Sequence, residues 1–373
     1  MENCLGVILN ENLDENFSTL CEHRPSYMLP YAGRYRILDF ALSGMVNHKI
    51  NNIVLYTGEK MRSAMDHIGS GKSWELNKRF SGLKLFSPRY SVDAITRKNQ
   101  VAQLFNTLTF YEEAKEDYIF LMRPNILAKV DLDAAFREFI AADADISLIY
   151  KKEVNVKGKC INCDKLHFTE DGRFREIGIN LGIDENFNHF IGMGFIKKDV
   201  FIDLIRALAE RKIAPSIKEA ISNYRDHFNI VTYEYEGKLE RIKDIESFFK
   251  SNMNLLEEDN YLDLFFNNGT ILTKSKDEPP TSFTESSNVT NSMIANGCKI
   301  EGTVENSVIF RGVTIGKGAV VRNSIIMKKS VIGKNAHVEN AIFDKASSIG
   351  AGLRVSGSSK TPYILAKNGK VKG

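Results

Sequence analysis

The chain has 373 residues, which is enough for two or three domains with separate cores. Its hydrophobic content of 43% is that of an ordinary globular protein, and a formal net charge of +3 gives no indication of nucleic-acid binding. No apolar run is long enough to span a membrane, no basic region marks a secretory signal, and five scattered cysteines are typical of a reducing compartment. The sequence therefore predicts a cytoplasmic protein that binds neither nucleic acid nor membrane.

The first 150 residues alternate short apolar strands with amphipathic helices. Strands are predicted at residues 5–9, 52–56, 118–122 and 146–151, and helices at 36–47, 100–114 and 132–142. Such alternation indicates a Rossmann-like α/β domain with a mostly parallel sheet covered by helices. Further helices are predicted at 199–211 and 245–256, so we expect this domain to extend to residue 256.

A polar segment follows the α/β domain. Residues 257–287 include the pair Pro279-Pro280 and are predicted to form a linker. The tail after Val355 has no periodic pattern, and we expect it to cap the preceding structure or to lie loosely on it.

The last third of the chain repeats every seventeen residues. Large apolar residues recur at steps of six, six and five: Ile309, Ile315, Val321, Ile326, Ile332, Val338, Phe343, Ile349 and Val355. Neither a helix nor a single strand has this period, but a coil with three short strands has it. Gly316, Gly318, Gly333, Gly350 and Gly352 follow the inward residues at the expected corners. The pattern predicts a parallel β-helix over residues 288–355. Its open ends would have to be capped or paired, which predicts an oligomer.

Two weaker patterns concern metal binding and acyl transfer. Cys160 and Cys163 form a CxxC motif, but no second pair follows at zinc-ribbon spacing, so two unpaired thiols are the favoured interpretation. A hexapeptide-repeat acyltransferase would need a base in its coils, and His337, next to inward Val338, is expected to face outward.

Three segments carry a resemblance to a known family. They are RPSYMLPYAGRYRILDFALS from Arg24, HIGSGKSW from His67 and SFFKSNMNLLE from Ser247. In this order they resemble motifs of the ADP-glucose pyrophosphorylases, or glucose-1-phosphate adenylyltransferases. The resemblance implies a nucleotidyltransferase (GT-A-like) domain at 1–256, a linker at 257–287 and a C-terminal left-handed β-helix with its tail at 288–373. It also implies attack of glucose-1-phosphate on ATP, with charge neutralisation by Mg²⁺.

Several catalytic positions of that family are replaced here. The glycine-rich phosphate loop falls on residues 10–13, the phosphate-binding lysine on Ser26, and a glycine-aspartate pair on Arg123-Pro124. A second metal-binding aspartate falls on Arg241, and a nearby glycine on Lys243. The chain thus resembles the non-catalytic GlgD-type subunits of the family. The resemblance implies no catalytic residue, no metal ligand and no cofactor in this chain, with Mg²⁺ confined to a catalytic partner.

The cations Arg123, Arg241 and Lys243 suggest a modified pocket. Because arginine matches phosphate geometry, the pocket could bind a phosphorylated metabolite or nucleotide without metal. The alternative is that these cations lie on the rim or pair with local acids such as Asp244.

A second set of candidates, Arg34, Arg36 and His67, matches positions where the family binds anionic effectors. The alternative for Arg36 is a local ion pair with Asp39, and for His67 a structural role.

We therefore predict a regulatory, catalytically inactive subunit of glucose-1-phosphate adenylyltransferase in glycogen biosynthesis. Its expected partners are a catalytic subunit in a hetero-oligomer, with a tetramer as the expected state, and an anionic effector. A homo-oligomer could form when the chain is alone. The alternative is an active nucleotidyltransferase that makes ADP-glucose, and the acyltransferase interpretation ranks last.

Overall fold

The structure is a computed structural model that describes residues 1–78, 81–87, 100–210 and 216–373. It contains two compact units, each built from segments that are distant in sequence. The sheet unit comprises residues 1–11, 41–59 and 69–237, and the solenoid unit comprises 12–40, 60–68 and 238–373. These compact units do not coincide with the domains expected from the sequence. The domain boundary at residue 256 stays a prediction.

The elements are numbered along the chain. Helices are α1 (Ile37–Asn47), α2 (Arg62–Ile68), α3 (Gln100–Phe105), α4 (Leu108–Glu113), α5 (Leu132–Ala141), α6 (Lys198–Glu210), α7 (Ile217–Asn223), α8 (Ile245–Asn254) and α9 (Glu258–Phe266). The first strands are β1 (Cys4–Ile8), β2 (Pro30–Tyr31), β3 (Tyr35–Arg36), β4 (Asn52–Tyr56), β5 (Gly82–Phe86), β6 (Tyr118–Met122), β7 (Ile126–Ala128), β8 (Ile146–Glu153), β9 (Asp164–Phe168), β10 (Phe174–Ile179), β11 (Phe187–Lys197), β12 (Ile230–Glu234) and β13 (Leu239–Arg241). Short 3-10 helices lie at Leu13–Cys21, Ser26–Met28, Lys72–Trp74 and Arg225–His227.

The sheet unit is built on a nine-stranded mixed sheet with the order β10-β9-β11-β6-β1-β4-β5, in which β8 pairs with both β11 and β12. Strands β6, β1, β4 and β5 run parallel, as predicted for the N-terminal part of the chain. Strand β11 is antiparallel to β6, β8 and β9, so the later part of the unit adds antiparallel strands to the parallel core.

The central strands of the sheet unit are apolar throughout because they lie in its core. All residues of β1 and β4 are buried, as expected for parallel strands covered on both faces. One side of the core packs against α6 and α7, through residues such as Phe201, Ile205 and Ile221.

One prediction is wrong, because a helix expected to be continuous is two helices in the structure. The helix expected at 100–114 is interrupted at residues 106–107, between α3 and α4. The hydroxyl of Thr107 donates to the carbonyls of Gln103 and Leu104, and its oxygen lies 2.6 Å from the Tyr56 hydroxyl. Bonds from a threonine hydroxyl to the preceding turn compete with continuation of a helix, which accounts for the break.

The solenoid unit contains the predicted parallel β-helix. Its strands are β14 (Ser282–Phe283), β15 (Asn288–Thr290), β16 (Met293–Ile294), β17 (Lys299–Ile300), β18 (Thr303–Glu305), β19 (Val308–Ile309), β20 (Thr314–Ile315), β21 (Val320–Arg322), β22 (Ile325–Ile326), β23 (Val331–Ile332), β24 (His337–Glu339), β25 (Ala341–Phe343), β26 (Ser348–Ile349), β27 (Arg354–Ser356), β28 (Tyr363–Leu365) and β29 (Lys370–Val371). They form three parallel sheets, each with one strand from every coil. The nine apolar residues of the seventeen-residue register are all buried, so the predicted inward positions are confirmed.

Both ends of the β-helix differ from the sequence-based boundaries. The predicted linker 257–287 contains α9, and β14 already pairs with β17, so the coils begin before residue 288. The tail re-enters the coils, because β28 pairs with β25 and β29 pairs with β26. The step from Phe343 to Leu365 is twenty-two residues instead of seventeen, because a polar insertion precedes β28 and hides the register.

One corner of the β-helix uses asparagine in place of glycine. Asn306, Asn323 and Asn340 are seventeen residues apart and all have positive φ, between 44° and 47°. Asparagine tolerates this left-handed region better than other residues with a Cβ atom. At the predicted glycine corners, Gly318 has a positive φ of 71°, whereas a Cβ on Gly316 would come within 2.9 Å of the Lys334 backbone nitrogen.

Replacing Asn323 by alanine should lower the free energy of unfolding of the solenoid unit by about 1 kcal/mol, because alanine is less stable in the left-handed region. Urea unfolding followed by circular dichroism would measure the loss. The matched control is Asn323→Gly, which should change stability by less than about 0.5 kcal/mol because glycine adopts this φ freely. Equal losses for the two variants would contradict the explanation.

Two further sequence-based expectations concern cysteine chemistry and the membrane. The five cysteines, all within the described residues, form no disulfide bond, and Cys163 is buried while Cys160 is half-buried. Among the residues that the structure describes, no helix has both the length and the apolar character needed to cross a bilayer.

Candidate effector site

Arg34 and Arg36 lie on a short hairpin of the solenoid unit. Strand β2 pairs with β3, and the turn between them has Ala32 and Gly33 at positive φ. The Ala32 backbone N–H donates to the Asn252 side chain on α8, at 3.1 Å. The hairpin turn also lies against the β-helix, since a Cβ on Gly33 would be 3.7 Å from the Ile309 carbonyl oxygen. The guanidinium groups of the hairpin are therefore held beside the coils.

Arg36 contacts Asp39 through its backbone and not through its side chain. Its backbone N–H donates to Asp39 Oδ2 at 2.9 Å, whereas its guanidinium donates to the Met28 carbonyl at 2.8 Å. The local ion pair considered from the sequence is therefore replaced by a backbone hydrogen bond. Burial, together with the nearby charge of Arg24, lowers the pKa of Arg36 to about 10.

His67 is held by the same aspartate. Its Nε2 lies 2.6 Å from Asp39 Oδ1, and Asp39 is fully buried. The structure thus brings Arg36 and His67 together around one carboxylate. Arg34 is exposed, with its guanidinium 5.3 Å from the centre of the Tyr35 ring.

Basic side chains of the β-helix complete this site, and sequence reasoning did not select them. Burial and Arg34 lower the pKa of Arg311, and burial with Lys367, Arg36, Lys328 and Arg24 lowers the pKa of Lys345. The cationic cluster consists of Arg24, Arg34, Arg36, Lys274, Lys276, Arg311, Lys328, Lys345 and Lys367. Burial is the largest cause of these lowered pKa values, and the neighbouring positive charges lower them further.

The seventeen-residue repeat carried a signal for these residues. Arg311, Lys328 and Lys345 each follow an inward residue of the same sheet by two positions, at intervals of seventeen. Lys367 occupies the equivalent place after the insertion, two residues beyond Leu365. One corner of the β-helix therefore presents a column of cations.

Carboxylates neutralise only part of this charge. Arg24 forms an ion pair with Asp344, and both side chains are buried. Lys328 Nζ lies 2.8 Å from Glu278 Oε1. The remaining cations form a surface that can bind an anion such as a phosphate group, through charge-assisted hydrogen bonds.

Arg123, the first cation of the predicted modified pocket, belongs to the sheet unit. Its Nη1 lies 2.6 Å from Asp164 Oδ2 and 3.3 Å from Glu11 Oε1. Lys218 Nζ lies 2.8 Å from the other oxygen of Asp164. Although burial opposes ionisation, Arg123 and Lys218 hold the pKa of Asp164 below its ordinary value. Two cations and two carboxylates thus balance here, which favours the alternative of pairing with local acids.

The chemistry at Arg123 does not fit a magnesium site. Mg²⁺ takes oxygen ligands in near-octahedral geometry. Three of the four oxygens of Asp164 and Glu11 are engaged by the Arg123 guanidinium and by Lys218. The fourth, Glu11 Oε2, is buried without a hydrogen-bond partner within the ranges that the structure describes, and it could supply only one ligand beside the positive charge of Arg123. Gly192 leaves room for this arginine, because a Cβ there would be 2.5 Å from Arg123 Cδ. The guanidinium also lies 5.6 Å from the centre of the Phe190 ring.

Arg241 and Lys243 belong to the solenoid unit, at the end of β13 and just after it. Both are half-buried. Asp244, which sequence reasoning considered as their partner, caps α8 instead, since its Oδ1 accepts the Ser247 backbone N–H at 2.8 Å. A ligand-binding role for Arg241 and Lys243 stays a prediction. The sugar-side motif of the family has no counterpart in the stretch TRKNQVAQ at 96–103, of which residues 96–99 lie outside the described residues.

The β-helix shows no sign of an acyltransferase base at His337. Val338 points into the coil and is 1% exposed, while the neighbouring His337 is half-buried on the outer side of the strand.

Comparison with known proteins agrees with this architecture. A family model described as nucleotidyl transferase matches residues 15–158, and a model described as GlmU-like, C-terminal hexapeptide matches residues 279–361. The fold is therefore a Rossmann-like nucleotidyltransferase domain followed by a left-handed β-helix.

Three relatives cover most of the chain. The glycogen biosynthesis protein GlgD of Geobacillus stearothermophilus is 35% identical over 318 residues, which is 85% of this chain and 82% of that protein. The protein of the same name from Bacillus subtilis (strain 168) is 29% identical over 84% of this chain and 81% of its own length. Glucose-1-phosphate adenylyltransferase of Geobacillus stearothermophilus is 26% identical over 85% and 83%. The chain therefore belongs to the glucose-1-phosphate adenylyltransferase family, as a member of its GlgD type.

Proposed function

We propose that this chain is a regulatory, catalytically inactive subunit of glucose-1-phosphate adenylyltransferase in glycogen biosynthesis. Its relatives are named for glycogen biosynthesis and for the adenylyltransferase. The observation that carries the proposal is the ion pair of Arg123 with Asp164 and Glu11. This ion pair supports the proposal because it lies directly beside Pro124, where the family resemblance implies an aspartate that holds Mg²⁺.

Loss of catalysis follows from the charge balance at Arg123. Transfer of a nucleotidyl group depends on positioning and on neutralising the phosphate charge, which metal ions usually supply. Arg123 cannot replace the metal, because Asp164 and Glu11 already neutralise it. Moreover, Glu11 stands where the family has a phosphate-binding glycine loop, and its negative charge would repel a triphosphate.

A regulatory role is supported by the cationic cluster. Crowded cations repel one another, so an anion that binds among them relieves this repulsion and forms charge-assisted hydrogen bonds. The cluster joins the hairpin of Arg34 and Arg36 to one corner of the β-helix within the solenoid unit. An anion bound there would hold these two parts in one arrangement. If a partner subunit favours that arrangement, effector binding and assembly are thermodynamically coupled.

The proposal is tested by adding the chain to the catalytic adenylyltransferase subunit of the same organism. We expect the two to co-elute, and we expect the chain to change how the catalytic subunit's rate of pyrophosphate release responds to inorganic phosphate. Separate elution with an unchanged response would reject the proposal.

The variant Lys345→Ala should raise the concentration of the anion needed for half the effect by at least about tenfold, since a hydrogen bond to a charged group is worth about 1.5–3 kcal/mol. Lys345 is exposed, so its removal should leave the fold intact. The matched control is Lys317→Ala, another exposed lysine of the β-helix outside the cationic cluster. If both variants respond like the wild type, the cationic cluster is not the effector site.

The cytoplasmic location stays a prediction.

A further inference from the structure

His48 in the sheet unit is a buried histidine whose Nε2 atom can act as a ligand. It follows α1 directly and is 7% exposed. Its Nδ1 lies 2.8 Å from the Gly44 carbonyl oxygen, so Nδ1 carries the proton and donates to it. Among the described residues no hydrogen-bond partner faces Nε2. A histidine whose Nδ1–H is held by a backbone carbonyl presents its Nε2 lone pair in a fixed direction, as metal-ligating histidines do.

Two aspartates at the start of α5 lie next to this histidine. One ligand atom from each of His48, Asp131 and Asp133 lies within 4.8 Å of the others. Asp131 is the N-cap of α5, and its Oδ1 accepts the Ala134 backbone N–H at 2.9 Å, which leaves Oδ2 available. Asp133 lies in the first turn of the same helix.

The charge of these two carboxylates is not balanced by a neighbouring cation. In the described part of the chain, neither Asp131 nor Asp133 has a lysine or arginine nitrogen within 4.0 Å. By contrast, the Asp164 carboxylate of the same unit is paired with two cations. The two adjacent carboxylates and the lone pair of the buried imidazole can therefore all donate electron pairs to a cation.

We propose that His48, Asp131 and Asp133 bind a divalent transition-metal cation of the zinc class. Ligands of tetrahedral zinc at about 2.0–2.1 Å are roughly 3.4 Å apart. Rotation of the Asp133 side chain, which is only half-buried, can bring the three atoms to that spacing. One nitrogen and two carboxylate oxygens suit Zn²⁺, Co²⁺ or Mn²⁺ better than Mg²⁺ or Ca²⁺, which prefer oxygen alone. Water would occupy the remaining coordination positions.

Such a cation would join two parts of the sheet unit that are far apart in sequence. It would connect the end of α1 to the beginning of α5 and would bind the folded state only, so it should stabilise the unit by mass action. This site lies outside the cationic cluster, and its existence does not depend on the proposed regulatory function.

The test is isothermal titration calorimetry of the full chain, freed of metal with a chelator and titrated with ZnCl₂ and with CoCl₂. The background variant Cys160→Ser with Cys163→Ser removes the CxxC thiols as competing ligands. We expect one cation per chain and a thermal unfolding midpoint that rises by several degrees at saturating metal.

Variants that remove one ligand should weaken binding by at least tenfold and abolish the thermal shift. Asp133→Asn removes a charge near the surface, and Asp131→Asn does so while keeping a good N-cap residue. His48→Gln removes the nitrogen, and its circular dichroism spectrum would verify folding. The matched control is Glu138→Gln, an exposed carboxylate on the same helix, which should bind like the background variant. Absence of one-to-one binding, or equal affinity of Asp133→Asn and Glu138→Gln, would overturn the proposal.

Discussion

Replacing Asp344 by asparagine is expected to lower the free energy of unfolding of the solenoid unit by about 3–5 kcal/mol. Asp344 is fully buried, and its carboxylate forms an ion pair with the buried guanidinium of Arg24. Its Oδ1 also accepts the Lys345 backbone N–H at 2.6 Å. Asparagine keeps the shape but not the charge, so the Arg24 guanidinium would remain buried without a counterion. Chemical unfolding followed by circular dichroism would measure the loss.

An exposed ion pair of the same β-helix supplies the control. Arg322 Nε lies 2.7 Å from Glu305 Oε2, and both side chains are accessible to solvent. Because solvent screens such pairs, Glu305→Gln should cost less than about 1 kcal/mol. A double replacement, Arg24→Met with Asp344→Leu, should recover most of the stability lost in Asp344→Asn, since no buried charge would remain. A loss below about 1 kcal/mol for Asp344→Asn would show that the pair is not needed.

The β-helix was the most predictable part of the fold. Each coil repeats the same inward positions. Ile309, Ile326 and Phe343 therefore recur at intervals of seventeen residues, and the position of one predicts the positions of the others. The prediction failed where the repeat length changes: the insertion before Leu365 conceals the last strands, and the coils before Ile309 are shorter. Periodicity predicts a solenoid only while the period is kept.

The candidate site was partly predictable, for two different reasons. Arg34, Arg36 and His67 were selected because their motif resembles a family, and the structure places all three in the solenoid unit. The corner residues Arg311 and Lys345 were missed although their spacing follows the repeat, because only the inward residues were used to define it.

The environment of Arg123 could not be predicted from sequence. Its partners Glu11 and Asp164 come from distant segments, and no local pattern indicates that β9 brings Asp164 to Arg123. Sequence reasoning therefore left open both a phosphate pocket and pairing with local acids, and the structure pairs Arg123 with Asp164 and Glu11.

The isolated chain should not form ADP-glucose. Enzymatic rates exceed uncatalysed rates by about 10⁶-fold or more, and losing metal ligands removes the main source of charge neutralisation in this kind of transfer. Even the loss of outer partners of a metal site costs about 10–100-fold. Here Asp164 and Glu11 are both paired with Arg123, so a divalent cation that approached them would meet a fixed positive charge.

The inactivity is expected to result from several replaced residues together and not from a single one. Returning a single aspartate, as in Pro124→Asp, should not restore turnover, because Arg123 would still be paired with Asp164 and Glu11 and Arg241 would still replace the second ligand. A restored rate in Pro124→Asp would mean that the remaining residues are still competent.

The decisive measurement is the rate of pyrophosphate release by the purified chain alone, with ATP, glucose-1-phosphate and Mg²⁺. The catalytic subunit, assayed identically, is the positive control. We predict a rate for the chain that cannot be distinguished from that of the protein-free mixture. Sustained release of pyrophosphate in proportion to the amount of purified chain would contradict the account.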